Sequence, residues 1–218
     1  MTKKFITSVA LQALKPYKYD ALGNHRLAYD RETCFPIIPV IYNNVNPEEK
    51  IKVIIMKTKF DPDNERERNN YLITEDNVKK LEDELRDLAA EKNFSYEITT
   101  IQRPFEDRKM AHMELYKNII SMFEDEDILF ADITYSMKTV PIILFAAFRY
   151  AYSLKKDVEI GCISYGNLNF LEPDPVLKAK IYDVTALFYI DSVVESVSRM
   201  NSDNPEALID IMLDLKGK

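Results

Sequence analysis

The sequence predicts an α/β protein: a three-layer, Rossmann-like, mainly parallel sheet with helices on both faces, followed by a short C-terminal helical extension. Three observations carry this prediction. Short runs rich in apolar and β-branched residues recur at 5–12, 50–58, 95–101, 128–133 and 158–164, as expected for strands of a buried sheet. Between them lie segments of helical period, such as Val78, Leu81, Leu85 and Leu88, and strand–helix alternation favours parallel strands joined by right-handed crossovers. With 218 residues, 46% of them hydrophobic, the chain can build a core for one large domain or for one domain with an appendage.

Residues 5–12 (FITSVALQ) make the first central strand, which ends at the ligand-facing edge of the sheet. Segment 13–33 contains Pro16, Gly23, Tyr17, Tyr19 and Tyr29 without sustained helical period, so it reads as an ordered loop or hairpin. Gln12 and Tyr17 are candidate ligand contacts here; the tyrosines either pack over the sheet edge or stack on a base. Pro36 and Pro39 leave 35–42 as a short or irregular helix. Residues 50–58 (KIKVIIMKT) form a buried strand, and the charged stretch 59–71 a solvated loop at the top of the sheet. Thr74 is expected to cap the helix that carries Val78, Leu81, Leu85 and Leu88, a surface cover. After the strand at 95–101, the loop 102–108 brings Arg103 and Arg108 toward the binding edge. Surface charge beside Glu106 and Asp107 is their simpler role. Met110, Met113, Leu115, Tyr116, Ile119, Ile120 and Phe123 then mark an amphipathic helix on which His112 rides.

The stretch 127–156 organises the rest. A strand at 128–133 is followed by a polar turn at 134–139. The helix at 140–154 is broken in its apolar character mainly by Arg149 and Ser153, and Lys155 and Lys156 suit its C-terminus. Pro141 fits the first helical turn. The turn therefore delivers Thr134, Ser136, Lys138 and Thr139 to the carboxyl edge of the sheet beside a helix N-terminus, where α/β proteins bind phosphate. Simple helix capping is the plain alternative. Residues 158–164 form a further strand, Tyr165-Gly166-Asn167 a turn back toward 168–171, and 179–185 a last short strand. Leu187, Ile190, Val194 and Val197 mark a terminal helix, with a break at 201–205 and a short helix at 206–215. The expected division is 1–185 and 186–218.

Composition excludes several function classes. A net charge of −7 provides no general field for a duplex nucleic acid, so a polyanion must meet a local pocket. The four glycines, Gly23, Gly161, Gly166 and Gly217, form neither a Gly-x-Gly-x-x-Gly turn nor a P-loop. Cys34 and Cys162 are far apart, and His25 and His112 lack neighbours at zinc spacing, so neither a metal nor a cofactor is expected. The N-terminus has no signal-like apolar core, and the run at 140–154 is shorter than the ~20 residues that span a bilayer. The chain reads as cytoplasmic, with no membrane partner.

Asp132-Ile133-Thr134-Tyr135-Ser136-Met137-Lys138-Thr139, followed by Val140-Pro141 and the apolar helix, resembles the Asp-x-Thr-His-Gly-Phe-Arg-x-x-Pro signature of CARF domains. These are the CRISPR-associated Rossmann-fold sensors of cyclic oligoadenylates in type III systems. Tyr135 stands at the family's histidine, Ser136 at its glycine and Lys138 at its arginine. With the strand and tyrosine-containing segment at the start and Tyr182-Asp183-Val184-Thr185 near the end, the resemblance covers roughly residues 1–190. It implies an accessory sensor for antiviral defence that binds a cyclic oligoadenylate, with cyclic tetra-adenylate the first choice, across a homodimer. Thr134, Ser136 and the loop amides would then bond phosphate or ribose oxygens, Lys138 would neutralise phosphate, and Asp132 would fix the loop or accept from a ribose hydroxyl. Tyr135, Met137, Thr139, Gly166 and Asn167 complete the implied ligand-binding set. The effector would be separate or missing, and the Arg-x4–6-His motif of HEPN nucleases is not met by Arg108 and His112. Three other readings stand beside this one: a metal-independent ring nuclease on the same site, an unrelated Rossmann-like enzyme acting on a mononucleotide, and a structural partner module.

Overall fold

The computed structural model describes residues 1–22, 24–106, 108–168 and 179–212. Along the chain come β1 (Thr2–Ser8), β2 (Tyr17–Leu22), a 3-10 turn (His25–Leu27), β3 (Glu32–Thr33), α1 (Ile37–Asn44), β4 (Lys50–Lys59), α2 (Arg68–Lys92) and β5 (Ser95–Pro104). They are followed by α3 (Lys109–Ile120), β6 (Asp127–Asp132), α4 (Val140–Leu154), β7 (Glu159–Leu168), β8 (Ala179–Asp183), α5 (Thr185–Arg199) and α6 (Pro205–Met212). Contacts group the chain into one unit of Met1–Asp183 and a second that begins at Val184.

The described strands form one eight-stranded sheet in the order β3-β2-β8-β7-β6-β1-β4-β5. Its five neighbours β7, β6, β1, β4 and β5 run parallel. β8 is antiparallel to β7, β2 parallel to β8, and β3 antiparallel to β2. This is the α/β, three-layer, Rossmann-like architecture that the sequence predicts. β1 lies in the middle because both faces of its run are buried: Phe5 and Ile6 are fully covered, and Phe5 stacks on its register partner Phe130 with ring centroids 4.5 Å apart. From β1 the chain winds outward through β4 and β5, then restarts on the other side with β6 and β7. The winding reverses between β1 and β6, and there the carboxyl ends of the strands diverge into a crevice. Reversed winding also sends the two helix pairs to opposite faces: α1 packs beside α2, and α3 beside α4. Gly161 of β7 is a close-approach glycine, since a Cβ there would sit 2.4 Å from the Phe130 ring.

Several elements depart from the sequence reading. β1 stops at Ser8, so Gln12 lies in the loop beyond it. Segment 13–33 is the expected hairpin, β2 with β3, but β2 also joins the main sheet beside β8. Thr74 does not cap α2. The helix starts two turns earlier, where the Asn64 carbonyl accepts from the amides of Glu67 and Arg68 at 3.0 and 2.9 Å. Thr74 and Asn77 continue the buried stripe of Leu81 and Leu85 at helical spacing, and their polarity hides that stripe from a count of apolar residues. Nor is Tyr165-Gly166-Asn167 a turn. β7 runs straight through it, pairing Tyr165 with Tyr182, Gly166 with Ile181 and Asn167 with Lys180. Glycine is required at 166 by crowding, since a Cβ would lie 2.6 Å from Pro36 Cγ. Leu168 ends the strand, and the expected return at 169–171 lies outside the described residues.

In the second unit, the four residues that mark the terminal helix divide. Val197 is buried, whereas Leu187, Ile190 and Val194 are exposed. The final helix is seen as α6, and 213–215 lie outside the described residues. Among the described residues no helix is long and apolar enough to cross a membrane.

Candidate ligand-binding site

A cavity of about 360 Å³ opens at the switch point. Its walls are Ser8 and the loop Val9, Ala10, Leu11 and Gln12 after β1, Met56 and Thr58 of β4, Arg103 of β5, and Thr134, Tyr135, Ser136 and Met137 after β6. The volume is at the small end of the ~300–1,000 Å³ usual for small-molecule sites.

The loop after β6 is held from behind by Asp132, which is 1% exposed. Its carboxylate accepts from the Thr7 hydroxyl and the Thr134 amide, both at 3.2 Å, and from the Thr134 hydroxyl. The bonds from Thr134, two residues on, make the tight Asx-type turn for which aspartate is suited. Thr134 Oγ1 also accepts from the Gly166 amide at 2.7 Å, so one hydroxyl ties β7 to the carboxylate of β6. Burial pushes the Asp132 carboxyl up to about 6, against the downward pull of the bonds from Thr134 and Thr7.

Tyr135 is anchored inward. Its hydroxyl donates to the Cys34 carbonyl at 3.1 Å and lies 3.3 Å from the Tyr19 hydroxyl, and its ring meets Phe35 edge-on. Burial raises Tyr135 well above the ordinary phenol range and Tyr19 to about 12, so both are neutral hydrogen-bonding groups at neutral pH. Ser136 donates to the Ile133 carbonyl at 3.4 Å.

Gln12, Thr134, Tyr135, Ser136 and Met137 are thus brought together on the cavity wall. Asp132 and Gly166 stand behind it as supports. Tyr17 is half-buried in β2, Asn167 is exposed in β7, and Lys138 is exposed at the end of the loop; none of the three lines the cavity. Thr139 lines a separate small crevice with Arg103, Glu106 and His112.

Sequence reasoning missed Ser8 and Thr58, although each is a hydroxyl at the carboxyl end of an apolar strand, which was the available signal. It also missed Asn77. The Asn77 side-chain amide donates to the carbonyls of Ala10 at 3.1 Å and Gln12 at 2.8 Å, stapling the loop after β1 from the buried face of α2. α2 is therefore more than a cover. Among the described residues no group of three or more His, Cys, Asp or Glu is placed to hold a metal ion.

Fold and site together define a doubly wound α/β domain with a hydroxyl-rich cavity at its switch point. No protein-family model matches the chain, and comparison with characterised proteins finds no match.

Proposed function

We propose that this protein is an accessory sensor of type III CRISPR antiviral defence, binding a cyclic oligoadenylate, cyclic tetra-adenylate first, across a homodimer. The observation that carries the reading is the position of the signature-like loop. Thr134 to Met137 line the cavity opposite Ser8 to Gln12, at the edge where α/β sheets receive nucleotides. The cavity of about 360 Å³ suits a nucleotide-sized part of a larger ring, and a symmetric ring suits an isologous dimer in which each subunit takes half. In this reading the Thr134 and Ser136 hydroxyls bond phosphate or ribose oxygens, and Lys138, exposed at the end of the loop, contributes its charge. Asp132, already engaged by Thr7 and Thr134, serves to fix the loop. Exposed Met110, Met113 and Ile142 on α3 and α4 supply apolar surface for the second copy.

The test is a thermal-shift panel of cyclic tri-, tetra- and hexa-adenylate against their linear forms and mononucleotides. A ligand at a hundredfold excess over Kd stabilises by roughly 2.7 kcal/mol, so a specific cyclic ligand should raise the melting temperature while linear forms do not. A shift with mononucleotides alone would replace the sensor with a mononucleotide-acting enzyme, and no shift at all would leave a partner module. Sedimentation as a monomer at micromolar concentration would remove the shared ring.

A further inference from the structure

We propose that Arg103 is the phosphate-recognising residue inside the cavity, selecting an anionic ligand over the corresponding nucleoside. This deepens the reading above and rests on the same cavity. Strand register puts the side chain there. Alternate residues of a strand share a face, and register partners in parallel strands project together. Met56 and Thr58 both line the cavity, and Thr58 is the register partner of Arg103.

Charge supports the assignment. The chain carries 36 Asp and Glu against 29 Lys and Arg, yet among the described residues that line the cavity there is no acid, and the cation is Arg103. Directly behind the wall stands the Asp132 carboxylate, bonded to Thr134. When ionised it repels an anion in the cavity, so an anionic ligand needs a cation on the wall to offset it. Arg103 shares the cavity lining with the hydroxyl-bearing Thr58, Thr134 and Ser136, and a guanidinium is suited to phosphate, which it can bind through two parallel donors.

The experiment is calorimetric titration of cyclic tetra-adenylate, 5′-AMP and adenosine into the wild type, Arg103→Ala, Arg103→Lys and Arg86→Ala, at two salt concentrations. Arg86 is an exposed residue of α2 paired with Asp83, so its loss changes net charge equally without touching the cavity. Arg103→Ala should weaken the phosphate-bearing ligands at least about tenfold and flatten their salt dependence. It should leave adenosine unchanged. Arg103→Lys should recover part of the loss, and Arg86→Ala should stay within about twofold. Melting temperatures report folding, and where Arg103→Ala fails to fold the lysine variant, with Arg103→Gln, carries the comparison. An Arg103→Ala affinity within twofold of wild type overturns the proposal. So does an equal loss for adenosine, which would mark a packing role, or a wild type that binds no phosphate-bearing compound. If 5′-AMP binds through Arg103 while the cyclic ligand does not bind, the cyclic oligoadenylate reading falls and the role of Arg103 stands.

Discussion

Replacing Asp132 by Asn should remove a pH-dependent component of stability of about 3 kcal/mol. Asp132 is 1% exposed, and burial lifts its carboxyl from 3.8 to about 6. The sign follows from which state holds the proton. Between about pH 4 and 6 the folded protein keeps a proton that the unfolded chain has released. This group therefore favours the fold fully below about pH 4, and its contribution is lost as pH rises through about 6. The shift is about two pH units, and at ~1.36 kcal/mol per unit it amounts to about 3 kcal/mol. Asparagine does not titrate. It exchanges one acceptor for a donor facing the Thr7 or Thr134 hydroxyl, a change that is the same at every pH. The stability difference between Asp132→Asn and wild type therefore isolates the titration, since all other carboxylates cancel. Urea unfolding at constant ionic strength from about pH 4 to 7.5 should show the variant gaining on the wild type by about 3 kcal/mol. A difference that stays flat would mean that Asp132 titrates normally. A difference that moves the other way would mean that its hydrogen bonds from Thr7 and Thr134 outweigh desolvation.

Gly166→Ala should cost roughly 1–3 kcal/mol by overpacking, because the new methyl would lie 2.6 Å from Pro36 Cγ and 3.1 Å from Thr134 Oγ1; an unchanged urea midpoint would show that Pro36 simply yields. Asn77→Ala leaves the carbonyls of Ala10 and Gln12 without their donor, at roughly 1–3 kcal/mol for the buried Ala10 group. Hydrogen exchange at 10–12 should quicken, and unaltered protection would deny the staple its role. Incubated in excess over cyclic tetra-adenylate with EDTA, the protein should open the ring slowly at most, leaving 2′,3′-cyclic phosphate ends by mass spectrometry. Positioning a ribose hydroxyl in line with its phosphate supplies rate without a base, and the neutral Tyr135 offers none. Rapid multiple turnover, or a strict need for added metal, would contradict that mechanism.

The fold class was legible in the sequence because burial on both faces of a strand leaves a continuous apolar run whatever its neighbours are. The runs at 50–58 and 128–133 became β4 and β6 within a residue or two, and the helix expected at 140–154 is α4. Its start was legible for a local reason, since Pro141 suits a first turn and no later one. The loop 134–139 could likewise be placed at a strand's carboxyl end from the order of elements alone.

What only the tertiary structure decided is which residues meet across that edge. Apolar periodicity reports that a face is covered but not by what, so Thr74 was expected as a cap and Asn77 carried no signal, although both are buried. Gly166 looked like a turn for the same reason: its crowding comes from Pro36 and Thr134, each about 30 or more positions away in the chain. Strand order set the cavity. β1 and β6 are neighbours, with β4 and β5 on the far side of β1, and this gathers Ser8, Thr58, Arg103 and Thr134 around one cavity while leaving Lys138 outside its lining. Sheet order arises from long-range packing among segments far apart in sequence, which no local pattern of side chains encodes.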